Sequence, residues 1–200
     1  MERPIQQTRS CFFLLTGCFL LTLLLGACDV GGNSHATAKT RPTATPSPRL
    51  TTYQGDNYTI GYPQGWSVKG KGSLVTFTDA QGLTAFIIEE VPNPNGAIPP
   101  ATAIDGGLNG LKGQGTNFQK IDVAPTLTLS GNTWNQGEAV ADTTTNGQTI
   151  NLKLVVLASD FPQNTASTKT FTLIYSTPTK EFDKTNKQSF QPMLQSFKFV

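Results

Sequence analysis

Cys11, Cys18 and Cys28 are the only cysteines in this 200-residue chain, and all three stand within its first 28 residues. Whatever folds downstream has no disulfide, no thiol nucleophile and no thiolate metal ligand to use. It must be held by apolar burial, which a domain of this size can supply. The single histidine, His35, lies close behind the cysteines. From residue 51 onward there is neither Cys nor His, which excludes Cys-His and Ser-His-Asp catalysis there. Charge sets a second limit. With 15 Lys+Arg against 13 Asp+Glu, the chain lacks the basic surplus of a nucleic-acid binder built on phosphate contacts.

Arg3 and Arg9 precede an uncharged, mostly apolar run from Cys11 to Gly26. A basic segment followed by such a run predicts a secretory signal peptide. A membrane-spanning helix is the alternative, but it needs ~20 apolar residues and the run is slightly short. The end of the run resembles the lipobox of bacterial lipoproteins: Leu25, then the small Gly26 and Ala27, then Cys28. The resemblance implies cleavage before Cys28 and a diacylglyceryl thioether on its sulfur. Residues 1–27 are then the signal peptide. The membrane is the first partner, held through the lipid, and the domain faces the extracytoplasmic side of the cell membrane. Asp29 resembles an inner-membrane retention signal of Gram-negative lipoproteins. Cys11 and Cys18 leave with the signal peptide. Loss of Arg3, Arg9 and Glu2 takes Lys+Arg from 15 to 13 and Asp+Glu from 13 to 12, so the mature net charge is +1.

Residues 28–50 carry Pro42, Pro46 and Pro48 and few large apolar side chains. Such a stretch cannot bury enough surface to offset its ordering entropy, and it reads as a disordered spacer. Lys39, Arg41 and Arg49 are too spread for more than a weak contact with anionic head groups. His35 reads as a solvated spacer residue.

The remainder, residues 51–200, reads as one domain. Tyr58, Ile60 and Tyr62 alternate on one face of a first strand. Pro63-Gln64-Gly65-Trp66 is a turn that delivers Trp66 to the next strand, and Leu74–Thr78 and Leu83–Val91 are further strands. Ile104, Leu108 and Leu111 have helical spacing within Ala101–Leu111, although Gly106, Gly107 and Gly110 weaken that helix by ~1 kcal/mol each. Phe118–Leu129, Thr133–Asp142, Ile150–Ala158 and Thr170–Ser176 read as four strands, with a polar turn over Thr143–Gly147. Thr177 as cap and Pro178 at the first helical position open a last helix, which Pro192 kinks or restarts. Ser196–Val200 closes the chain as an edge strand. The fold class is α+β: a mostly antiparallel sheet flanked by helices, an α/β/α sandwich.

Tyr58-Thr-Ile60-Gly-Tyr62-Pro63-Gln-Gly65-Trp66 resembles the opening of the PsbP-like (Mog-type) domain. Phe77 and Asp79 at the second hairpin and the Ser196-Phe197 ending extend the resemblance over the domain. In that family Tyr58, Ile60, Tyr62, Pro63, Gly65 and Trp66 would be core and turn positions. The family includes lumenal accessory subunits of photosystem II, bacterial lipoproteins and Ran-binding proteins. The resemblance therefore implies a non-catalytic accessory domain that binds a protein partner. A photosystem role follows only in a photosynthetic host. Calcium is implied by the family alone, and a His-containing metal site does not carry over.

Other chemistry is weaker. Gly65 to Gly72 nearly spells a phosphate loop, but Gly72 stands where a hydroxyl is required and the segment reads as a hairpin. Glu89 and Glu90 are adjacent on a strand and point to opposite faces, so they cannot act as an acid–base pair. Asp105, Asp122, Asp142 and Asp160 are scattered acids that read as solvated loop residues. Asn57-Tyr58-Thr59 forms a glycosylation sequon without meaning in a bacterial lipoprotein. No metal or catalytic residue is assigned. The competing reading is a small-molecule or cation receptor with a cleft beside Trp134 or at the acidic loops. A carboxylate-based hydrolase comes third.

Overall fold

The computed structural model describes residues 49–92, 98–145 and 147–200. The signal peptide, Leu25–Cys28 and most of the spacer lie outside the described residues. The first described strand is β1 (Leu50–Gln54), so Leu50 belongs to a strand and not to the spacer. β1 itself was not legible in the sequence. Only Tyr53 in it is even partly buried, so it carries no alternating apolar face.

β2 (Tyr58–Pro63) pairs with β1 on one side and with β11 (Lys198–Phe199) on the other, both antiparallel. These three strands make a small sheet. The larger sheet has eight strands. Its main path runs β3 (Ser67–Lys71), β4 (Leu74–Thr78), β5 (Ala85–Pro92), β10 (Lys169–Pro178), β9 (Gln148–Phe161), β8 (Asn132–Thr145) and β6 (Thr116–Ile121). β7 (Thr126–Leu129) also pairs with β8. Every pairing is antiparallel.

The stretch from Phe118 to Leu129 is thus two strands and not one. β8 is 14 residues long, so β6 and β7 lie one after the other along it. Pro125 sits in the break, where its missing N–H costs no ladder bond. Gln136 fastens the break, donating from its backbone N–H to Pro125 O at 2.9 Å and from its side chain to Ala124 O at 2.6 Å. β8 and β9 also run further than their apolar pattern, to Thr145 and from Gln148. The turn between them is correspondingly tighter than Thr143–Gly147, with Gly147 at φ +75°.

One helix covers each side of the large sheet. α1 (Pro100–Gln114) buries Ile104, Leu108 and Leu111 against Ala139, Ala141, Leu154, Val156 and Ala158. The helix can come this close because of two glycines. A Cβ on Gly137 would lie 2.6 Å from Ile104 Cγ2, and one on Gly107 would lie 2.9 Å from Val156. The opposite side is aromatic. Phe86, Phe171, Tyr175, Phe190 and Phe197 are buried there together with Trp134 and Tyr58.

The C-terminal helix departs from the local sequence signal. β10 continues through Thr177 and Pro178, pairing Pro178 with Leu152. The Thr177 hydroxyl caps nothing; it bonds the Thr84 hydroxyl at 3.0 Å, and both are buried. Strand pairing overrides the Thr-Pro helix signal here. The helix starts as a 3-10 turn (Thr179–Glu181), continues as α2 (Phe182–Thr185), widens into a π turn (Asn186–Phe190) and ends as α3 (Gln191–Ser196). Gln191 N–H reaches back five residues to Asn186 O, and Pro192, next in line, has no N–H to give.

Candidate functional site

The motif residues fall into two groups. Tyr58 and Ile60 are fully buried, and Pro63 is buried. Tyr62 is partly buried with its ring 5.2 Å from that of Phe77. Gly65 has φ +93°, a conformation the turn before Trp66 requires. Trp66 is the exception. It is only partly buried, touches Phe190 edge-on at 6.4 Å and lines a surface cleft. Trp134, by contrast, is fully buried between Phe197 and Phe199. Its indole N–H donates to Leu129 O at 3.2 Å. The ring is core, enclosed by Phe197 and Phe199, and these two residues with Leu129 and Phe161 line an opening of ≈ 720 Å³.

The Gly65–Gly72 segment is a hairpin between β3 and β4, with no helix after it to cradle a phosphate. Glu89 and Glu90 do point to opposite faces. Glu90 is buried and accepts both Asn57 Nδ2 at 2.9 and 3.0 Å and Lys169 Nζ. Glu89 is half-buried on the α1 side.

The other acids do not converge. Asp105 pairs with Lys120 at 3.2 Å, where both are exposed. Asp160 accepts the Thr170 hydroxyl at 2.8 Å. Asp142 accepts Asn117 Nδ2 at 2.8 Å and Asn151 Nδ2 at 2.7 Å. The Asn117 bond, then the Asn151 bond, holds its carboxyl below the ordinary value. Among the described residues no three His, Cys, Asp or Glu side chains gather as a metal site.

The Tyr58 hydroxyl is buried without a hydrogen-bond partner among the described residues. Burial first, then the charges of Tyr53, Glu90 and Asp56, pushes its ionisation far above the ordinary 10.0. Nothing about it suggests proton transfer at neutral pH.

On the α1 side a trough of ≈ 700 Å³ lies between that helix and strands β5, β10 and β9. α1 packs on β8 and β9 and reaches only the near side of β10. The sheet is wider than the helix, so part of its face is left beside it. Ile87, Val91, Leu152 and Ile174 line the trough floor, and Glu89, Thr170, Thr172 and Ser176 on the same strands add polar groups to it. Thr143, Thr144 and Thr145 stand along one rim, and Gly106 and Gly110 form the helix wall. A Cβ on Gly106 or Gly110 would meet nothing within 4 Å, so these glycines widen the opening. Sequence reasoning took the three helix glycines as weakening residues and missed this role. The available signal was that Gly106 and Gly110 are four apart, on one side of the helix.

No protein-family model matches this chain, and no curated protein matches it. Among solved structures it is similar to LpqN, described as involved in cell envelope biogenesis of Mycobacterium tuberculosis. Identity is 13 %, the match covers 76 % of this chain and 91 % of that one, and the TM-score is 0.48. It is also similar to the Saccharomyces cerevisiae Ran-binding protein Mog1p, at 14 % identity over 77 % of this chain and 97 % of that one, with a TM-score of 0.48.

Proposed function

We propose that this chain is an extracytoplasmic lipoprotein, anchored through Cys28, whose PsbP-like domain is a non-catalytic binding module. Its role is to assemble or stabilise a membrane-associated protein complex. The observation that carries the binding role is the trough beside α1. Apolar side chains interspersed with Glu89 and hydroxyls on a folded surface have the mixed character of a protein interface, which supports association with a partner surface. Leu25-Gly26-Ala27-Cys28 at the end of the apolar run supports the anchor. The dispersal of the carboxylates supports a domain that does no acid–base chemistry.

The test is crosslinking in whole membranes, comparing wild type with Gly110→Phe. That change adds a ring to the trough lining from a position where a Cβ meets nothing within 4 Å. Wild type is expected to yield a reproducible protein partner that the variant loses. Equal recovery from both would sink the trough as the binding surface. Cys28→Ala is expected to move the protein out of the membrane fraction. Unchanged retention would remove the lipid anchor.

A receptor for a small molecule is the second reading. The trough volume of ≈ 700 Å³ lies within the ~300–1,000 Å³ of small-ligand sites. A metabolite that raises the thermal midpoint of wild type but not of Gly110→Phe would favour it.

A further inference from the structure

A second opening lies on the aromatic side of the sheet, with a volume of ≈ 470 Å³. Three separate segments build it. The Gly65 turn brings Trp66, the β4–β5 turn brings Asp79 and Gln81, and the start of the C-terminal helix brings Lys180 to Ser189. The π turn places Gln188 and Ser189 on this lining. π turns inside helices are rare and recur at functional sites.

We propose that this cleft is a binding site for an uncharged saccharide. The proposal is independent of the trough beside α1. The charges of the lining balance. Lys180 and Lys184 face Asp79 and Glu181, so the cleft's formal charge is zero. None of these four has an ion-pair partner among the described residues. An anion such as phosphate would need a surplus of cationic donors, which the two acids cancel. An acyl chain would strand the polar lining without water.

A polyol fits both limits, because each sugar hydroxyl donates and accepts. Gln81 and Gln188 each offer an amide with both functions, and Ser189 a hydroxyl with both. Thr84 and Thr177 also line the cleft and bond each other at 3.0 Å. That bond uses one proton of the pair and leaves the other for an acceptor. Trp66 supplies the apolar element. Its ring face is electron-rich and suits the weakly positive C–H face of a sugar ring. It meets the Phe190 ring at 89°, a contact that holds the indole in place.

The experiment uses the full chain in a detergent without a sugar head group. The chain has two tryptophans, and Trp134 is buried, so ligand-dependent change in emission and acrylamide quenching reports Trp66. The probes are chitotriose, cellotriose and maltotriose, with inorganic phosphate as the anionic comparison. At least one trisaccharide is expected to shield Trp66 with a Kd of about 1 mM or tighter. Gln188→Ala, at an exposed position, is expected to weaken that binding about tenfold while leaving the thermal midpoint unchanged. Trp66→Ala, which lacks the reporting ring and is read by isothermal titration calorimetry, should abolish it. No shielding by any trisaccharide at about 10 mM overturns the proposal. So does binding that survives Gln188→Ala undiminished, and so does phosphate binding tighter than every sugar.

Discussion

On one face of β9, Val155 and Leu157 sit in a cluster of aromatic rings; on the other, Val156 and Ala158 sit under a helix that approaches through glycines. The same strand therefore serves two kinds of packing. The aromatic side fills space with rings: Phe86 stacks on Tyr175 at 5.6 Å, Trp134 on Phe199 at 5.9 Å, and Phe161 on Phe199 at 3.9 Å. Each ring buries a large area, so stability concentrates there. The α1 side gains contact by bringing backbones together over Ala139, Ala141 and Gly137. That gives tight fit but little apolar area per residue. A gap in the helix layer costs less on such a face, and that is where the trough lies.

Four changes test this contrast, in falling order of effect. Trp134→Ala is expected to cost about 3–5 kcal/mol, read from urea unfolding, since it empties a fully enclosed site. A loss below that of any α1-side change would invert the comparison. Gly137→Ala is expected to cost about 1–3 kcal/mol, because its Cβ must displace Ile104 and push α1 outward. A neutral result would mean the close approach is not tightly fixed.

Tyr58→Phe removes a buried hydroxyl with no partner among the described residues and should stabilise the fold by about 1 kcal/mol. It also bears on alkaline unfolding. The raised ionisation of Tyr58 and Tyr175, chiefly from burial, means the folded state keeps protons that the unfolded chain releases. Stability is thus fully present below pH 10.0, the ordinary phenol value, and falls as pH rises beyond it. The variant should lose less stability over that range, measured by circular dichroism against pH. Equal alkaline loss in both proteins would assign the effect to other groups.

Gly110→Ala is the smallest, a gain of about 0.4–1 kcal/mol in thermal unfolding, because the helix position is open and Ala has the better propensity. A destabilising result would mean that α1 needs glycine there for its contact with the sheet.

The strands with clean alternation were legible in the sequence. Tyr58/Ile60 in β2, Val75/Phe77 in β4 and Phe171/Leu173/Tyr175 in β10 are all buried at alternate positions. Ile104, Leu108 and Leu111 gave α1 for the same reason. What stayed hidden depended on partners far along the chain. Nothing local says that β6 and β7 share one long partner, or that Pro178 extends a strand toward Leu152. The openings were hidden for a related reason. Trp66, Asp79 and Gln188 come from three separate segments with no common spacing. A half-exposed Trp looks identical to a core Trp in a string of letters.

β11 makes the small sheet a late event. Phe197 stacks on Tyr58 at 5.6 Å, and Ser196 Oγ accepts Gly61 N–H across 135 residues of chain. A ribosome makes these segments in order, so the first strands wait for the last ones. Until residues 196–199 emerge, Tyr58 and Trp134 lack the rings that cover them. A chain interrupted shortly before that point exposes its largest aromatic surface, the kind of surface that holding chaperones and proteases select. The pairing of β11 with β2 thus ties closure of the aromatic side to segments far apart in the chain.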